Sequence, residues 1–154
     1  MFEVAQDQAF PWLQQISIFL PNRVGSLDRV IQCLDQGQVR VCGMSILDAH
    51  DHAVVRLVVD RPQKAIDVLR EDGRTPVIAR LLGLVVPNEI GAISRMLGRL
   101  LAAELNMHYA YALMTPHPTG AAVAVHVDDP DVAATALRNG GFELISQRDL
   151  EQAS

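Results

Sequence analysis

Cysteine is scarce in this chain, basic residues form no cluster, and no long apolar run is free of charge. Its two cysteines, Cys33 and Cys42, are too few for a disulfide framework and lack the spacing of a metal site. They read as buried thiols in a reducing cytoplasm. Thirteen Lys and Arg stand against eighteen Asp and Glu, for a formal charge of −5 and a pI near 5.4. A phosphate-neutralising surface is not expected, which sets nucleic acid aside as a partner. The longest apolar stretch, Val77 to Val86, is broken by Arg80, so no membrane span is expected. Glu3 and Asp7 stand where an export signal would carry positive charge, so no leader is expected either. Catalytic signatures are also missing. There is no phosphate loop with its lysine, no Gly-x-Ser-x-Gly, no dinucleotide fingerprint after a strand and no repeated Cys-x-x-Cys. A non-catalytic, cytoplasmic protein without cofactor or metal is the expectation.

What the chain has is a repeat. Leu20-Pro21-Asn22-Arg23-Val24-Gly25 returns as Val86-Pro87-Asn88-Glu89-Ile90-Gly91, an offset of 88 minus 22, or 66 residues. With that offset Leu27, Val30, Ile31 and Leu34 fall on Ile93, Met96, Leu97 and Leu100, so the apolar period repeats with the motif. Later, Val59-Asp60-Arg61-Pro62 matches Val127-Asp128-Asp129-Pro130 at an offset of 128 minus 60, or 68. Two residues have been inserted between the matched blocks. The turn at Pro116-His117-Pro118-Thr119-Gly120 is the expected place, because turns absorb insertions cheaply. Two halves follow, over residues 12–79 and 80–150. Each is near the lower size limit for independent folding and leans on the other.

Each half reads β-α-β-β-α-β. In the first, Ile16, Ile18 and Leu20 alternate as a strand, and Leu27, Val30, Ile31 and Leu34 form a helical stripe closed by Gly37. A strand from Val39 to Leu47, a polar hairpin from Asp48 to His52 and a strand from Val54 to Val59 come next. Pro62 opens a helix that Asp60 could cap and Gly73 ends, and a strand begins at Val77. The second half repeats this with a strand to Val86, a helix from Gly91 to Glu104, strands Leu105 to Met114 and Ala121 to Val127, a helix from Pro130, and a strand Phe142 to Ser146. The order is the ferredoxin-like one, an α+β class in which an antiparallel sheet carries its helices on one face.

A strand ending in Pro-Asn-x-x-Gly, an apolar helix after it, Val-Asp-x-Pro starts to the second helices, Tyr109-Ala110-Tyr111, and the duplication itself together resemble the ACT domain. From about Leu13 to Leu150 the chain is most similar to free-standing tandem ACT proteins that bind amino acids. The family's loop usually has an acid and a proline just before the glycine. Here those positions hold Asn22 or Asn88, and Val24 or Ile90. The resemblance implies pockets between paired ACT units, walled by a neighbour's second strand, here Met44 and Ile46 or Tyr109 and Tyr111. It also implies a homodimer, and an alternative role as an assembly module that regulates a metabolic enzyme without binding a ligand.

The loop chemistry is consistent with an amino-acid ligand. Helix N-termini leave amides without intrahelical partners, and the helix dipole favours an anion there. A ligand carboxylate would take the amides near Gly25-Ser26 or Gly91-Ala92, and Asn22 or Asn88 would receive the ammonium. The ligand side chain would rest on Val24, Leu27, Ile90 and Ile93. Arg23 against Glu89 makes the two loops differ in charge. The plainer account is that each asparagine caps a helix and each glycine turns the chain. His50 and His52, with Asp48 and Asp51, could nominally ligate a metal, but tight turns favour such residues for conformational reasons. His108, His117 and His126 read as surface or strand residues. Tyr109 and Tyr111 read as half-buried, with their hydroxyls reaching solvent.

Overall fold

The computed structural model describes residues 12–152, so Glu3 and Asp7 lie outside the described residues. The elements in order are β1 Trp12–Pro21, α1 Ser26–Gln36, β2 Val41–Ala49, β3 His52–Val59, α2 Pro62–Glu71, β4 Val77–Pro87, α3 Ala92–Ala102, β5 Met107–His117, β6 Gly120–Val127, α4 Pro130–Asn139, β7 Leu144–Ile145 and α5 Gln147–Gln152. The doubled β-α-β-β-α-β order is present. Strands are neighbours in the order β4–β1–β3–β2 in the first half and β7–β4–β6–β5 in the second, every pair antiparallel.

The two halves do not carry two separate sheets, which corrects the expectation. They form one seven-stranded sheet in which β1, β3, β2, β5, β6 and β4 close into a barrel, with β7 added beside β4. The reason is the length of β4. Its residues Val77 to Leu82 pair with β1, and Leu82 to Pro87 pair with β6, so one strand serves both halves. The expected junction between residues 79 and 80 falls inside this strand. On the opposite side, β2 meets β5 through the pair Gly43 and Leu113.

Closure gives the sheet two differently filled faces. Outside, α1 and α2 cover a core containing Ile16, Val30, Leu34, Leu57 and Leu69, and α3 and α4 cover one containing Leu82, Met96, Leu100, Val125 and Leu137. Inside the barrel, Leu13, Val58, Leu81, Leu113 and Leu150 pack together with Cys42. Cys33 is only half-buried, because it lies at the edge of α1, where its thiol donates to the Val68 carbonyl.

The two inserted residues are not in the turn. Each hairpin turns through two residues, His50 and Asp51 or Pro118 and Thr119. The insertion is a bulge in β5, where Leu113 to Thr115 stand opposite Ala122 alone. That bulge lies where β5 reaches β2. A Cβ added to Gly43 would come within 2.5 Å of Leu113 Cδ2, so the glycine leaves room for the leucine that closes the seam.

Several helix-end expectations change. Asp60 does not cap α2, because its carboxylate accepts the Arg40 amide at 2.8 Å, as Asp128 accepts that of Asn106 at 2.9 Å. Asp129 is the acid that caps α4, accepting the Val132 amide. After α1 the left-handed residue is Gln38, not Gly37, which instead passes close to Val68. Gly73 and Gly141 take the left-handed position after α2 and α4. The amide of Phe142 is used in closing α4, and its ring is buried, so the last strand shrinks to Leu144–Ile145. The helix α5 was not foreseen. Ser146 and Asp149 bond to each other's backbone as a capping box, and Leu150 is fully buried inside the barrel.

Candidate functional site

The two Pro-Asn-x-x-Gly loops share one backbone course. Pro21 and Pro87 accept the amides of Arg23 and Glu89, and those residues in turn accept the amides of Ser26 and Ala92. Gly25 and Gly91 follow with φ of 89° and 90°, a left-handed turn that feeds the chain into α1 and α3. The glycine occupies each N-cap position, and no side chain caps either helix. The asparagines are therefore not helix caps. Among the described residues no hydrogen bond engages the second and third amides of either helix, those of Leu27 and Asp28 and of Ile93 and Ser94.

The hairpins beside the loops make the two halves unequal. In the first half Asn22 is tied down. Its Nδ2 donates to Asp48 Oδ1 at 3.2 Å and to the His50 carbonyl at 3.1 Å, and its backbone amide donates to the Asp51 carbonyl. These bonds close the hairpin side of the loop. What remains is a cavity of about 360 Å³ on the other side, lined by Arg23, Val24, Ser26, Arg29 and Arg74. Leu27 packs onto the first helical core instead. The polar residues Asp48, Asp51 and His50 thus serve the latch. Among the described residues no three or more His, Cys, Asp or Glu side chains are placed to hold a metal.

In the second half the same side is open. A cleft of about 800 Å³ lies between the β4–α3 loop and the β5–β6 hairpin, with Asn88, Glu89, Ile90, Ala92 and Ile93 on one wall and His117 to Ala121 on the other. Gly120 brings the hairpin against the end of β4, since a Cβ there would meet the Val86 carbonyl oxygen at 2.2 Å. His117 is held from both nitrogens. Its Nδ1 accepts the Thr119 amide at 3.2 Å, and its Nε2 lies 2.6 Å from Glu143. Glu89 pairs with Arg95 at 3.0 Å across the first turn of α3. Ile90 is fully exposed and Ile93 is 60% exposed.

Within one chain the second strands do not wall either loop. Met44 and Ile46 are exposed on the outer surface of β2. Tyr109 and Tyr111 face the barrel interior, where their hydroxyls meet Gln15 rather than solvent. Gln15 Nε2 donates to Tyr109 and the Tyr111 hydroxyl donates to Gln15 Oε1, each at 2.8 Å. Gln15 is 1% exposed, so this is a buried polar link between the halves. Burial, and then the neighbouring Tyr109, push the Tyr111 phenol well above its usual value. The Arg56 guanidinium lies 3.9 Å over the Tyr109 ring, His126 stacks on the same residue at 4.8 Å, and His108 pairs with Asp128 at 2.5 Å. The residues missed by sequence reasoning are therefore Gln15 and the hairpin His117 to Ala121. The insertion beside that hairpin was the available signal.

The chain is thus a duplicated α+β barrel with two glycine-turned helix starts, one latched to its hairpin and one beside an open cleft. The family profile for the ACT domain pair matches residues 12–153, so the chain belongs to that family. ACT domains are regulatory modules that bind amino acids. Among solved structures, a protein of Bacteroides thetaiotaomicron is 26% identical with a TM-score of 0.85, over 92% of this chain and 97% of that one. The ligand-free regulatory subunit of aspartate kinase from Thermus thermophilus is 16% identical with a TM-score of 0.62, over 86% and 92%. The corresponding subunit from Thermus flavus is 14% identical with a TM-score of 0.57, over 86% and 94%. At those last two identities the likeness is one of fold. No curated protein matches the sequence. No helix among the described residues is long and apolar enough to cross a membrane.

Proposed function

We propose that this protein is a non-catalytic, cytoplasmic amino-acid sensor built of two ferredoxin-like ACT units, residues 12–79 and 80–150, acting on a metabolic enzyme as partner. The ligand sits at the strand-to-helix loops. The second-half loop is the better site, because its hairpin side is an open cleft while Asn22 closes the equivalent side of the first. The observation that carries this reading is the pair of unengaged amides of Ile93 and Ser94 beside that cleft. They suit a ligand carboxylate, with Asn88 positioned to accept from the ammonium. The exposed stripe Ile93, Leu97 and Leu101 along α3 favours a homodimer that would cover it.

Thermal-shift measurements against the twenty amino acids test the proposal. Saturable stabilisation by one or a few is expected, at about 2.7 kcal/mol when ligand reaches a hundred times Kd. Gly91→Val should abolish the response. Its side chain has free space, since nothing lies within 4 Å, but φ of 90° strains any L-residue and disturbs the loop. No stabilisation by any amino acid at millimolar concentration would sink the sensing role and leave the assembly role.

A further inference from the structure

From the lining of the second-half cleft we infer that it selects α-amino acids with uncharged aliphatic side chains and turns away acidic and basic ones. This rests on the functional reading above and adds to it the class of side chain. Two ionisable side chains line the cleft, Glu89 and His117, and both are already engaged, by Arg95 at 3.0 Å and by Glu143 at 2.6 Å. Among the described residues no unpaired cation lines the cleft, so an acidic side chain entering here would face Glu89 and give up water without compensation. A basic one would meet a Glu89 carboxylate already neutralised by Arg95, and would give up its own water for an acceptor that it must share. An aliphatic side chain meets neither cost, and it removes from water the exposed faces of Ile90 and Ile93. The remaining polar lining, Asn88 and Thr119, is neutral and suits the ligand's own backbone groups. The first-half cavity differs, with Arg23, Arg29 and Arg74 around it beside the single acid Asp28, so the selectivity is specific to the second half.

Isothermal titration of the full chain with leucine, isoleucine and valine, and with aspartate, glutamate, lysine and arginine, reads this directly. The aliphatic ligands should bind at least about tenfold more tightly than any charged one. Glu89→Gln removes the carboxylate that Arg95 pairs with at 3.0 Å, leaving that guanidinium able to receive an acid. That variant should shift the aspartate-to-leucine and glutamate-to-leucine affinity ratios about tenfold toward the acid. Wild-type protein that binds a charged amino acid as tightly as leucine overturns the inference and leaves the sensing role standing. Unchanged ratios in Glu89→Gln overturn the charge argument. If no amino acid gives a binding heat, the sensing role itself fails and this inference falls with it.

Discussion

The charge on His126 is set by its surroundings in the fold. Burial first, then His108 and Arg56, hold its imidazole below the ordinary value of 6.5, and Asp128 opposes them only in part. Its Nδ1 is buried and has no hydrogen-bond partner among the described residues, so the neutral ring is the form that the fold accepts. The unfolded chain binds the proton more readily. Stability is therefore complete above about 6.5 and falls as pH drops through that value, levelling only below the folded-state pKa. Asp128, held low by the Asn106 amide and then by His108, works in a different window. Its contribution is present above its ordinary 3.8 and is lost as pH falls below it. Between pH 8 and pH 5 the slope should thus follow His126. Melting temperatures should fall across that range in the wild type, and His126→Gln should flatten the fall. An identical slope in both proteins would remove His126 from the account.

Among the elements, β5 departs furthest from its counterpart in the first half. Alternation and helical stripes make every strand and helix up to α4 legible, because those periods arise locally from which face each element buries. The barrel was not legible by that route. On the side away from β4 it closes through the long-range pair Gly43 with Leu113, and a pairing between strands of different halves leaves no periodic trace. The inserted pair of residues was visible as an offset of 66 turning into 68, but the offset does not tell a turn from a bulge. The helix α5 escaped because it has six residues, too few for a stripe, although Ser146-Gln147-Arg148-Asp149 spells a capping box. The seam makes a testable claim. Gly43→Ala should cost about 1–3 kcal/mol in urea unfolding, since its Cβ falls on the buried Leu113 side chain. Leu113→Ala alone should cost about 2–5 kcal/mol by leaving a cavity. The double variant should cost clearly less than the sum, because the alanine at 43 then occupies space that the leucine has vacated. Strict additivity would mean that the two residues do not share the seam.

At the scale of the whole molecule the duplication and the barrel pull in different directions. Two similar halves invite the idea of two modules that fold apart, and each does have its own helical core. The strands deny each half an independent sheet. Val77 to Leu82 complete the first half against β1, and the same strand continues as the first of the second half against β6. Trp12, at the start of β1, packs in the second half's helical core, and the barrel interior draws Leu13 and Val58 from one half and Leu113 and Leu150 from the other. The buried Gln15 bonds across to Tyr109 and Tyr111, so separating the halves would strand polar groups as well as apolar ones. A half of about 70 residues buries a smaller fraction of its surface than the full chain does and has little stability to spare. The full chain should therefore unfold in a single transition, with calorimetric and van't Hoff enthalpies equal. A fragment of residues 12–79 should lack a cooperative melt, since it keeps three residues of β4 and loses Leu81, Leu82 and every contact to Leu113. Two resolved transitions in the full chain, or a fragment that melts cooperatively on its own, would show that the shared strand does not bind the halves into one folding unit.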